Sequence, residues 1–133
     1  MFIELELQSD RPIFAQIAQQ IVEGIASGEL NPGDAMPSVR SLASDLGINL
    51  HTVNKAYQVL KQDGFLQVHR KKGVVVQPGE MPGVTEAFID KLHRQLRSVA
   101  SEAVVRGMSE SEFVAASLAV YRGDLMYKGD NLE

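Results

Sequence analysis

The stretch LGINLHTVNKAY, Leu46–Tyr57, decides how the chain is read. Gly47 breaks one apolar pattern, and Asn49 stands where an N-cap is wanted just before the next begins. From there Val53, Ala56, Tyr57 and Leu60 recur at i, i+3, i+4 and i+7, the spacing of one buried helix face. Around them lie Asn49, His51, Thr52, Asn54 and Lys55, with Gln58 one turn on. These hydrogen-bonding side chains are too numerous to bury and too varied for simple solvation, so they imply a partner rich in donors and acceptors.

Upstream, Ser38 is a plausible cap for a short helix with Val39, Leu42, Ala43 and Leu46 on one face. NPGDAMP (Asn31–Pro37) before it is turn chemistry throughout. Earlier still, Phe14, Ile17, Ile21 and Ile25 mark a helix that ends at Gly28, with Asp10 as its expected N-cap and Pro12 in its first turn. Ile3–Leu7 (IELEL) alternates, as a short strand or an extended arm would. Downstream, Gly64 closes the helix begun at Leu50. Phe65–Val68 and Val74–Val76 then read as strands flanking the basic segment Arg70–Gly73, a hairpin with a charged tip.

A helix, a tight turn with a glycine and a second helix make a helix-turn-helix. With a basic hairpin directly after it, the unit is a winged helix. The expected fold class is mostly α with a small β-hairpin: a winged helix-turn-helix over residues 1–77, a linker with two prolines and two glycines over 78–83, and a two-helix segment over 84–133. In that segment Ile89, Leu92, Leu96, Val99 and Ala103 are spaced 3, 4, 3 and 4, a heptad-like stripe on a helix ending at Gly107. Ser109 and Glu112 form a capping box for a last helix with Phe113, Ala116, Ser117 and Val120 inward. From Arg122 the sequence loses periodicity, and a frayed tail is expected.

Composition narrows the class. No apolar run approaches the roughly 20 residues of a membrane span, and no signal-peptide pattern opens the chain. With no cysteine there is neither a disulfide framework nor a thiolate metal site, and a cytoplasmic location is expected. The net charge of −4 is unevenly spread. Met36–Gln77 holds six basic residues against two acidic, whereas Met1–Ala35 holds one against six and Pro78–Glu133 six against nine. A basic middle between acidic ends is the distribution expected when one face meets a polyanion.

In a helix-turn-helix the second helix enters the DNA major groove and its N-terminal residues reach base edges. Asn54 has the chemistry to pair adenine bidentately, Thr52 to meet a thymine methyl or a phosphate, and Lys55 guanine or phosphate. His51 stands beside them, and Asn49 serves as cap, DNA contact or both. Leu50 is the apolar exception, expected at an exposed first-turn position with a weak thymine-methyl contact. Ser38 and Arg40, at the start of the preceding helix, are phosphate or base-edge candidates; a salt bridge from Arg40 to Asp34 or Asp45 is the bland alternative. His69, Arg70, Lys71 and Lys72 form a basic tip suited to phosphate or the minor groove, and Gly73 permits the turn. His51, His69 and His93 fall on three elements without HxxxH or HxH spacing, so no metal site is expected.

The same residues resemble a known family. PIFAQI (Pro12–Ile17), the run from Ile25 to Ala43 containing NPGDAMPSVR, LGINLHTVNKAY, and GFL with KKG (Gly64–Gly73) are similar to the DNA-binding domain of the GntR family of bacterial transcription regulators. The segment that follows is shorter than the ligand-binding domains most members carry and looks like the YtrA-type subfamily, whose C-terminal helices mediate dimerisation. The resemblance implies that Arg40 contacts DNA, that Asn49–Asn54 read bases and that the wing enters the minor groove. Other members place arginines in the recognition helix where this chain has Leu50 and Asn54, which shifts the expected weight towards the wing.

The expected function is a transcriptional repressor that binds a palindromic operator on double-stranded DNA as a homodimer. Its seam would be Phe88, Ile89, Leu92, Leu96, Val99, Phe113, Ala116, Val120 and Tyr121, unless that stripe merely packs the last helix on its neighbour. The subfamily resemblance implies control of the chain's own operon with neighbouring transporter genes; no cofactor is implied, and no effector is legible. A winged helix used for protein–protein contact is the alternative, disfavoured by the polar arc and the basic tip. No Gly-rich phosphate loop, zinc signature or nucleophile–base pair points to an enzyme.

Overall fold

The computed structural model describes residues 3–123; the expected tail beyond Gly123 lies outside them. The chain divides between Pro82 and Gly83 into two units.

The first unit holds α1 (Ile13–Ser27), α2 (Val39–Leu46), α3 (Leu50–Asp63), β1 (Leu66–His69) and β2 (Gly73–Val76). Its core forms where the helical stripes meet: Ile17 and Ile21 of α1, Leu42 and Ala43 of α2, and Val53, Ala56, Tyr57 and Leu60 of α3. Leu66 and Val76 close it from the hairpin. The strands are antiparallel, with Leu66 opposite Val76 and His69 opposite Gly73. The hairpin is tied back by a bridge between Ala35 and Val75, beside which the Met36 N–H donates to the Val74 carbonyl at 2.8 Å. Part of the turn-like run before α2 is therefore a third, minimal edge of the sheet. Of the stretch read as a linker, Met81 packs against the core.

The start of α1 differs from its sequence reading. Pro12, not Asp10, occupies the N-cap position of α1, and no side chain caps that helix. Ile3–Leu7, read as a short strand or an extended arm, takes the second course and forms no strand. It is an extended arm whose Ile3 and Leu5 pack on the core. Buried Gln16 holds it: Oε1 accepts from the Glu6 N–H at 2.8 Å, and Nε2 donates to the carbonyls of Glu6 and Arg11, each at 3.0 Å.

The second unit contains α4 (Glu86–Val105) and α5 (Glu110–Arg122). Thr85 caps α4 by accepting from the Phe88 N–H. The capping box of α5 is formed in both directions between Ser109 and Glu112, and those hydrogen bonds from Ser109 lower the Glu112 pKa. Neither helix buries a residue, and the two do not pack along one another. No helix among the described residues is long and apolar enough to cross a membrane.

Candidate nucleic-acid interface

Local capping aims α3. Ser38 accepts from the Ser41 N–H at 3.0 Å and starts α2. Gly47 ends it in the left-handed region, at φ 67°, where only glycine sits without strain. Two residues later Asn49 Oδ1 accepts from the His51 N–H at 2.7 Å and starts α3. Tyr57 then locks the pair of helices: its hydroxyl donates to the Pro37 carbonyl at 2.7 Å, and burial pushes its pKa up to about 12.

With that face fixed, the opposite face follows. His51, Asn54, Lys55 and Gln58 repeat the i, i+3, i+4, i+7 spacing of the core stripe two residues earlier, about 200° around the helix. All four are exposed, and Thr52 is half-buried beside them. Leu50 departs from its expectation. It is half-buried and packs against the core cluster, because the first turn of α3 lies against other apolar side chains and burial there is favourable. It is not the freely exposed leucine that a thymine-methyl contact was expected to use.

An open hollow of about 450 Å³ lies between the start of α3 and the start of α1, lined by Pro12, Ile13, Phe14, Asn49, His51, Thr52 and Lys55. The Lys55 ammonium sits 4.1 Å from the centroid of the Phe14 ring, a cation–π contact. The first turn of α1 contains no acidic residue, and no carboxylate lines the hollow. Its walls thus combine the positive end of a helix dipole, a lysine and polar side chains, a surrounding that favours an anion.

Arg40 is exposed in the first turn of α2 and has no ion pair among the described residues. Asp34, one of its expected partners, instead accepts from the Asn31 N–H. On the hairpin, Arg70, Lys71 and Lys72 are exposed between the two strands. Gly73 carries φ 78° and lets the chain reverse. Half-buried His69 turns inward to the tip: its Nδ1 accepts from the N–H groups of both Lys71 and Lys72 at 3.1 Å.

The structure therefore gathers Asn49, His51, Thr52 and Lys55 around one hollow, while Asn54 stays on the outer ridge, Ser38 and Arg40 at the start of α2 and the cations on the hairpin. Sequence reading missed Phe14 as part of this surface. Its helical spacing made it a core residue, and nothing local marks a ring that meets a lysine on another helix.

Residues 14–76 match the model of "Bacterial regulatory proteins, gntR family". The HTH-type transcriptional repressor YtrA of Bacillus subtilis is 32% identical over 80% of this chain and 82% of its own. Among solved structures, a transcriptional antiterminator from Listeria monocytogenes matches with a TM-score of 0.83 at 25% identity, covering 96% of this chain and 95% of that one. YtrA from Sulfolobus acidocaldarius, a GntR-family transcription factor, matches with a TM-score of 0.55 at 42% identity, covering 89% and 95%. These relatives are transcription factors and regulators, not enzymes.

Proposed function

The chain belongs to the gntR family of bacterial regulatory proteins and is a YtrA-like, DNA-binding transcriptional regulator; from that premise we propose that it is a repressor which binds a palindromic operator as a homodimer. The observation that carries the reading is the exposed ridge His51–Asn54–Lys55–Gln58 on a helix whose other face is wholly buried. That ridge has the donors and acceptors for base edges, and Arg40 and the wing tip add cations for phosphate. Each winged helix would take one half-site, the two lying about 34–36 Å apart. The likeness to a repressor supports the sign of regulation. The subfamily resemblance supports control of its own operon with neighbouring transporter genes.

Fluorescence anisotropy with the promoter upstream of its own gene tests the reading. Arg40→Ala or Asn54→Ala should cost about 1–3 kcal/mol if either residue contacts a base. If neither change moves the affinity for a promoter the wild type binds specifically, the groove assignment is wrong.

A further inference from the structure

We infer that His69 is a positioning residue for the wing: its neutral imidazole caps the hairpin turn and so orders the cationic tip that meets DNA. The inference rests on the reading of the hairpin as a DNA-contacting wing. Lys71 and Lys72 carry two successive amide N–H groups at a turn, and both point at the same acceptor, His69 Nδ1, at 3.1 Å. An imidazole nitrogen accepts only when it bears no proton, so the ring proton resides on Nε2. The arrangement is the one Asn, Asp or Ser side chains make when they cap a turn two and three residues ahead of themselves.

The register makes the cap consequential. His69 pairs with Gly73 as the last rung of the ladder, so Arg70, Lys71 and Lys72 lie beyond any strand hydrogen bond. Their side chains are exposed, and among the described residues none has an ion pair. What fixes the tip is Gly73 on one side and the His69 ring on the other. An ordered tip presents its cations without the entropic cost of gathering them on binding. The sequence alone suggested a fourth potential cation at the tip. The structure gives His69 a different task, which requires the uncharged ring.

Three variants separate a cap from a contact. His69→Phe keeps an aromatic ring without an acceptor, whereas His69→Asn discards the ring and restores an acceptor near the place of Nδ1. Operator affinity of the full-length protein is expected to fall about 2- to 10-fold in His69→Phe, the worth of roughly one net hydrogen bond, and to stay within about 2-fold of wild type in His69→Asn. Amide exchange at Lys71 and Lys72 should quicken in the first and not in the second. Nitrogen NMR of the wild type should report an unprotonated Nδ1. Equal loss in both variants would make His69 a direct contact and overturn the inference, as would an unchanged His69→Phe. The joint replacement of Arg70, Lys71 and Lys72 by Ala reports on the premise. If it leaves binding and its salt dependence untouched, the wing reading falls and the inference with it; if it weakens binding while His69→Phe does not, the inference alone falls.

Discussion

Tyr57 shows how much a single side chain sets in this unit. It is fully buried, yet its hydroxyl reaches the Pro37 carbonyl, so it fixes the start of α2 against the middle of α3. Tyr57→Phe would keep the packing and leave that carbonyl without its donor. The expected loss is about 1 kcal/mol of unfolding free energy, readable by urea denaturation. Alkaline pH gives a second readout. Because burial raises the Tyr57 pKa from about 10 to about 12, the folded state keeps a proton that the unfolded state releases. Its contribution is fully present below pH 10 and is lost as pH rises towards 12. The wild type should therefore lose stability more steeply across that window than Tyr57→Phe, and parallel curves would refute the assignment.

At the scale of elements, what was legible in the sequence is what is decided locally. Ser38, Asn49 and the Ser109–Glu112 box were readable as caps because each cap and its partner lie within three residues. The core stripe of α3 was readable because helical spacing dictates it. The start of α1 was not. Asp10 looked like a cap, but the course of the chain there is set by Gln16, whose side chain reaches five residues back to Arg11 and ten back to Glu6. The Ala35–Val75 bridge and the Lys55–Phe14 contact are likewise long-range, and Leu50 was misjudged because its neighbours are not its sequence neighbours. The weight on Gln16 can be measured. Gln16→Leu removes partners from three backbone groups around a buried site, so we expect a loss of about 1–3 kcal/mol and faster amide exchange at Glu6. Unchanged exchange there would mean that the arm is held by Ile3 and Leu5 alone.

For the whole molecule, the second unit poses the question that the first does not answer. Its helices leave Phe88, Ile89, Leu96 and Val99 exposed on α4, and Val114, Leu118, Val120 and Tyr121 on α5, the last at 86%. Leu92 and Phe113 are half-buried and Ala116 is exposed. The option that this stripe packs α5 on α4 is not realised, since the two helices do not lie along each other. Apolar surface of this extent has a high cost in water, and a second copy of the same helices offers a matching face. That exposed surface supports the proposed homodimer, which carries a quantitative expectation. Two linked half-site contacts bind through an effective concentration, which raises affinity for a palindrome by roughly 100-fold or more over a single half-site. Leu96→Asp would put a carboxylate in the proposed seam, opposite its own copy or other apolar side chains, and should convert the protein to monomer in sedimentation experiments. The first unit, which has its own core, should keep its fold and its half-site affinity, while the preference for the full palindrome collapses. A wild-type protein that sediments as a monomer, or a Leu96→Asp protein that stays dimeric, would remove this stripe from the interface.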